Sequence, residues 1–302
     1  MKKVLYITSI LFTSIIGGCS EKEMDEGVKL LSFNEVKASV EVLPWTRTHL
    51  EDNNSMSWDG VDAIGVFSDI QDVECFTIDG NPNGGDASFK GNEMKGSKFY
   101  AFFPYNSNSY IGNDKTTLRV QLNDGWTGDN AANIPMVAVS TNSTFSFKQV
   151  CGIIKIFLTG TNIVNQLTLE GHNGEYITGS GTIDLINNEP IIQMSNSNAN
   201  KYSTITCRNG LNPYTPTVYY FPVPVIDFTN GFTLTIEGVN KQTNRSFSIK
   251  KSTDKEINIS RAMIHGFAVV DTDELLPEEI IPVTEDGNPI VSGENPGKID
   301  LD

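Results

Sequence analysis

Few side chains in this 302-residue sequence are of a type and spacing that could do chemistry. The three histidines, His49, His172 and His265, stand far apart, and none belongs to an HExxH pair or to a His/Cys set with metal-ligand spacing. No GxSxG nucleophile elbow, Walker-type phosphate loop or GxGxxG dinucleotide turn occurs. Carboxylates are plentiful, 37 Asp+Glu against 22 Lys+Arg, yet abundance without a pocket defines no acid–base pair. The stretch DGNPNGGDASFK, 79–90, comes closest to a calcium loop, with Asp79, Asn81, Asn83 and Gly84 in the first, third, fifth and sixth positions. Its twelfth residue is Lys90, where a bidentate Glu is required, so a polar hairpin loop is the better reading. Enzymatic activity is not expected from this inventory, and neither a cofactor nor a metal is implied.

Two residues carry chemistry of another kind. Cys19 ends IGGC, 16–19, behind Lys2, Lys3 and an apolar run over 4–16. That run is too short to cross a bilayer as a mature helix and reads as a secretory signal over 1–18. Its ending resembles a bacterial lipobox, in which the Cys19 thiol receives a lipid such as palmitate; an ordinary signal with an incidental cysteine is the alternative. A lipid holds a protein to a membrane surface without crossing it, each buried methylene contributing about 0.8 kcal/mol. The acidic stretch that follows, within the tether 19–27, is similar to those that direct lipoproteins of Gram-negative gut anaerobes to the outer surface. The second residue is Arg47, alone between Thr46 and Thr48 behind a proline-containing turn. A surface arginine behind an edge strand is its plain reading, and in such a turn it is also sterically accessible to cleavage.

The elements that would position these residues are strands. Val36, Ala38, Val40 and Val42 alternate with polar residues, the period-two pattern of a half-buried strand, and an edge strand is the plain reading. Short β-branched and aromatic runs continue along the chain, including DAIGVF, KFYAFF, FSFKQV, GIIKIFL and GFTLTIEG, separated by Gly, Pro and Asn clusters. No convincing amphipathic helix longer than two turns is found. This pattern predicts an all-β protein of antiparallel β-sandwiches, with one domain over 28–149 and another over 150–270. Residues 271–302 hold ten acidic residues against Lys298 and four prolines, and read as an extended acidic tail. Only EEIIPV, through Ile281 and Val283, and KIDLD, through Ile299 and Leu301, show apolar alternation there.

The formal charge of −15 becomes −17 once the signal takes Lys2 and Lys3 with it, and a surface that acidic repels phosphate backbones. Nucleic acid is therefore not an expected partner. Cys75, Cys151 and Cys207 show no metal spacing, permit at most one disulfide, and fit buried apolar thiols. The loop aromatics Trp45, Trp58, Trp126, Tyr105 and Tyr110 suggest either a sugar-stacking platform, with Trp58 and Trp126 as its contacts, or packing at sandwich ends.

SWDGVDAIGVF, 57–67, followed by KFYAFFPYNSN, 98–108, resembles the fimbrillin superfamily of pilus subunits and pilus-associated lipoproteins. FSFKQVCGIIKIFLTG, TLEGHNGEYITGSGTIDL and VYYFPVPVIDFTNGFTLTIEG continue the resemblance in order over about 19–270. It implies two transthyretin-like antiparallel β-sandwich domains in tandem, on the outer membrane or in a pilus. It also implies maturation by a trypsin-like protease and polymerisation by strand exchange with other pilus subunits. Carried over, Cys19 is the lipidated cysteine, Val36, Ala38, Val40 and Val42 the removable strand, and Arg47 the cleavage residue before a new N-terminus at Thr48. Adhesion to host or bacterial surface ligands goes with that role. A non-polymerising surface lipoprotein that binds host or dietary glycans is the alternative.

Overall fold

The computed structural model describes residues 30–41, 57–107, 109–127 and 134–274. Every regular element among them is a β-strand. The chain begins with β1 (Leu31–Val40), β2 (Ala63–Ser68), β3 (Glu74–Ile78), β4 (Asp86–Gly96) and β5 (Phe99–Phe103). It then runs through β6 (Tyr110–Ile111), β7 (Thr117–Leu122) and β8 (Trp126–Thr127) and returns as β9 (Met136–Ser140) and β10 (Thr144–Gln149). Seven of these strands close into a barrel in the order β1-β10-β9-β5-β2-β3-β4. The pairing is antiparallel except between β1 and β10.

The all-β, mainly antiparallel character expected from the sequence is present throughout the described residues. The first unit differs in detail from two facing sheets, because its strands form one sheet closed on itself. Closure has a plain cause: β1 lies between β4 and β10, which would otherwise be two open edges, and bonds to both. The interior is apolar and aromatic, built from Val36, Ile64, Phe76, Phe89, Phe99 and Phe145 among others.

The second unit contains β11 (Gly152–Thr159), β12 (Ile163–Gly171), β13 (Thr178–Asp184), β14 (Ile192–Asn200), β15 (Tyr202–Gly210) and β16 (Thr217–Val223). After these come β17 (Asp227–Phe228), β18 (Phe232–Asn240), β19 (Arg245–Thr253), β20 (Ile257–Asn258), β21 (Ile264–Gly266) and β22 (Val270–Asp271). A sheet ordered β15-β12-β18-β19 shares a core with one ordered β21-β11-β16-β8, in which β22 also pairs with β11. Alternation explains the outer sheet: Phe232, Leu234 and Ile236 of β18 are buried, while Thr233, Thr235 and Glu237 are not.

Residues 110–127 do not stay with the barrel that flanks them. β7 pairs with β13 from Gly179↔Leu122 to Asp184↔Thr117, and β8 pairs with β16. A cut near residue 149 thus separates strands that share sheets, and the excursion between β5 and β9 belongs structurally to the second unit. The sheet β14-β13-β7-β6 contributes Leu118, Leu122 and Ile183 to a cluster that also takes Phe67, Tyr100, Phe102 and Val137 from the barrel. That cluster explains why all five residues of β5 are buried. Phe99, Ala101 and Phe103 join the barrel core while Tyr100 and Phe102 join the cluster outside it. Gly65 serves the same packing, since a Cβ there would stand 2.2 Å from the Phe102 ring.

Candidate functional site

The site of interest is β1 in its groove. Against β4 it runs antiparallel from Leu31↔Gly96 to Ser39↔Asp86, and against β10 parallel from Lys37↔Thr144 to Val40↔Phe147. Backbone bonds tie both sides: the Lys37 N–H donates to Ser143 O at 2.9 Å, and the Val40 N–H to Gly85 O at 3.0 Å. The register shifts between Phe33 and Glu35. A shift of this kind changes which parity of side chains meets the core. Accordingly Leu31 and Phe33 pack against the core before it, with Phe33 and Phe99 ring centroids 4.5 Å apart, and Val36, Ala38 and Val40 after it. Those three retain only 1%, 3% and 8% of their exposure. Full burial of a valine side chain stabilises by about 1.5–3 kcal/mol, so the strand is strongly seated.

The edge-strand reading of this segment is corrected by the pairing on both flanks. The strand also starts earlier than the alternation beginning at Val36 suggests, because the register shift conceals the apolar parity of Leu31 and Phe33. Val42, Arg47, Thr48 and Cys19 lie outside the described residues.

At the C-terminal end of β1 stands a polar cluster that local sequence does not announce. The Arg261 guanidinium, from the connection between β20 and β21, donates through Nη1 to Glu41 Oε1 and to Gln149 O, the latter at 3.0 Å. Nε and Nη2 donate to Glu189 Oε2 at 2.9 and 2.6 Å. The same Glu41 oxygen accepts the Gln149 N–H at 2.8 Å, so one carboxylate joins the end of β1, the end of β10 and the second unit. Arg261 and Glu41 side chains are only 13% and 12% exposed. Burial opposes the Arg261 charge, but hydrogen bonds and attraction from Glu41 and Glu189 outweigh it and raise its pKa. The arginine likewise lowers the pKa of Glu189. Glu41 and Arg261 are 220 positions apart, a pairing that no spacing rule detects.

Trp45 and His49 also lie outside the described residues, whereas Trp58, Trp126 and the three later cysteines occupy structural positions. Trp58 is 5% exposed, packs edge-on against Phe89, Phe103 and Phe147, and donates Nε1–H to Gly85 O at 2.8 Å. Its ring faces are spent on the barrel core, which corrects its assignment as a sugar contact. Trp126 is half-buried and stacked on Tyr220, with centroids 5.3 Å apart, and its buried Nε1 has no hydrogen-bond partner. The calcium-like stretch is a hairpin: Asn83 and Asp86 exchange both backbone bonds at 2.8 and 3.1 Å. Lys90 lies in β4, opposite Glu35 and Thr77. Cys75, Cys151 and Cys207 are free thiols, and burial pushes Cys151 up to about 12. His172 contacts Asn230 O at 2.6 Å and Thr233 Oγ1 at 2.8 Å, whereas His265 is buried. Among the described residues no three His, Cys, Asp or Glu side chains form a group able to hold a metal ion.

No protein-family model matches the chain. No curated protein sequence matches it either. Among solved structures it is similar to a candidate cell adhesion protein from Bacteroides ovatus, with a TM-score of 0.50 and 12% identity over 84% of this chain and 97% of that one. It is also similar to a candidate cell adhesion protein from Bacteroides fragilis, with a TM-score of 0.45 and 8% identity over 87% and 99% of the two chains. At these identities the first likeness is one of fold, and it runs through both units.

Proposed function

We propose that this chain is a fimbrillin-like structural and adhesive surface protein, not an enzyme, whose first strand is a removable plug. One observation carries the proposal. The N-terminal described strand completes the barrel, hydrogen-bonded on both sides with three apolar side chains in the core, and is followed by a segment, 42–56, that contains Arg47. Cutting after Arg47 leaves β1 attached only by non-covalent contacts. Its departure opens the groove between β4 and β10, leaves backbone donors and acceptors of both strands unpaired, and exposes aromatic core surface. Such a groove is an acceptor for an extended segment of another subunit, which restores the hydrogen bonds and fills the apolar positions.

In this reading Cys19 carries the lipid that holds the exported precursor to the outer membrane, a trypsin-like protease releases it, and the mature chain begins at Thr48. Likeness of fold to a candidate cell adhesion protein supports the adhesive part. The glycan-binding alternative is weakened by the burial of Trp58.

Limited trypsin digestion of the purified chain, followed by N-terminal sequencing and non-reducing, unboiled gel analysis, tests the proposal. A stable core beginning at Thr48 that forms ladders is the expected result. A core that retains residues 30–41 covalently, or a cut chain that stays monomeric, overturns it.

A further inference from the structure

We infer that Arg261 is a specificity-determining residue for whatever strand occupies the β1 groove, selecting one that places a carboxylate immediately after its last core-facing apolar side chain. This inference rests on the strand-replacement reading above. In the resident strand that carboxylate is Glu41, directly after Val40, and it satisfies two donors at once, Arg261 Nη1 and the Gln149 N–H. Both donors belong to parts of the molecule that stay behind when β1 leaves. Arg261 remains aimed at the vacant position, because Glu189 holds Nε and Nη2 and Gln149 O holds Nη1. Its neighbour Ala262, at φ 58, is pinned by an N–H bond to Cys151 O at 2.8 Å.

The emptied position is therefore a preformed pair of donors for an anionic oxygen. The Arg261 side chain is largely covered, so a strand with an apolar or basic residue there leaves Nη1 and the Gln149 N–H without the carboxylate oxygen that Glu41 supplies. Apolar positions upstream set how well a strand fills the groove, whereas the acid sets register and end. A strand displaced by two residues would keep its alternation but move its carboxylate away from Arg261. The partner defined by this chemistry is an extended subunit segment of the form apolar, polar, apolar, acid, as in Ala38-Ser39-Val40-Glu41.

The test uses the full chain with a specific protease site placed within 42–56, cut so that β1 is held non-covalently. Labelled peptides of residues 30–41, wild type and Glu41→Gln, are offered in mild urea, and their uptake and release are followed by fluorescence anisotropy. The wild-type peptide should be held at least about tenfold more tightly than the Glu41→Gln peptide, and that preference should vanish in cut Arg261→Gln protein. Circular dichroism of the uncut Arg261→Gln variant checks that it folds. Should it fail to fold, Gln149→Pro, which removes the other donor, must reduce the preference in its place. Equal retention of both peptides by the wild-type groove overturns the role of Arg261 while leaving strand replacement standing. Failure of both peptides to insert overturns strand replacement, and the selecting role with it.

Discussion

At the scale of single residues, the buried polar side chains are the informative ones. His265 is 5% exposed on β21, and its Nε2 accepts the Ser260 N–H at 3.4 Å, an arrangement that suits the neutral imidazole. Burial lowers its pKa from 6.5 to about 4. Between those values the unfolded chain binds a proton that the folded chain refuses, so the stabilising contribution is complete above pH 6.5 and is lost as pH falls toward 4. Urea unfolding of wild type should show about 2 kcal/mol of stability lost through this residue between pH 7.5 and pH 5. His265→Gln should show a correspondingly smaller loss over the same interval. An unchanged difference between the two pH values in the variant would show that His265 does not carry the effect. Trp58 illustrates a different point at this scale. Its type suggested a ligand platform, and only the three aromatic rings around it reveal a core residue.

At the scale of elements, β1 shows what alternation can and cannot say. The inward parity of Val36, Ala38 and Val40 is legible because a half-buried strand must alternate, and all three are buried. Whether such a strand lies at an edge or between neighbours is not legible, since side-chain parity reports faces and not flanks. The register shift after Phe33 further hides the first part of the strand. Runs such as FYAFF in β5 and GIIKIFL in β11 lose alternation for the opposite reason, because both of their faces are covered. Lys155 sits among those residues with its Nζ over the Phe157 and Tyr220 rings at 5.1 and 5.5 Å, and burial lowers its pKa. The Glu41–Arg261 contact was illegible altogether, because it joins elements at opposite ends of the chain. The position of β1 between two partners makes a definite prediction. Lys37 has an exposed side chain, but its N–H bonds Ser143 O within the barrel. Lys37→Pro should therefore destabilise by about 1–3 kcal/mol more than Lys37→Ala in urea titrations. Equal midpoints for the two variants would return β1 to the status of an edge strand.

At the scale of the whole molecule, the decisive feature is the excursion over 110–127. A linear reading places it with the strands on either side, yet its strands complete sheets of the second unit while the chain before and after it builds the barrel. The shared cluster of Phe67, Tyr100 and Phe102 with Leu118, Leu122 and Ile183 then covers the outside of the barrel with the neighbouring sheet. Two units joined in this way differ from beads on a linker, because neither can lose its structure without exposing apolar surface of the other. Their unfolding should be coupled, and Phe102 offers the direct probe, being fully buried on the outward side of β5. Phe102→Ala removes its ring from the cluster without touching the barrel interior and should cost about 3–5 kcal/mol. Hydrogen exchange read by mass spectrometry then distinguishes the possibilities. If the units are coupled, peptides covering β2 and β5 and peptides covering β12 and β18 should lose protection by similar amounts in the variant. Loss confined to the barrel peptides would mean that the second unit is stable alone and that the shared cluster is only a contact surface. Coupling also bears on the proposed strand replacement, because Arg261 belongs to the second unit and holds the end of a barrel strand. On the proposed strand replacement, a groove whose outer face is packed against a neighbouring sheet would keep its shape when its own strand is withdrawn, which is the condition for a second strand to find it.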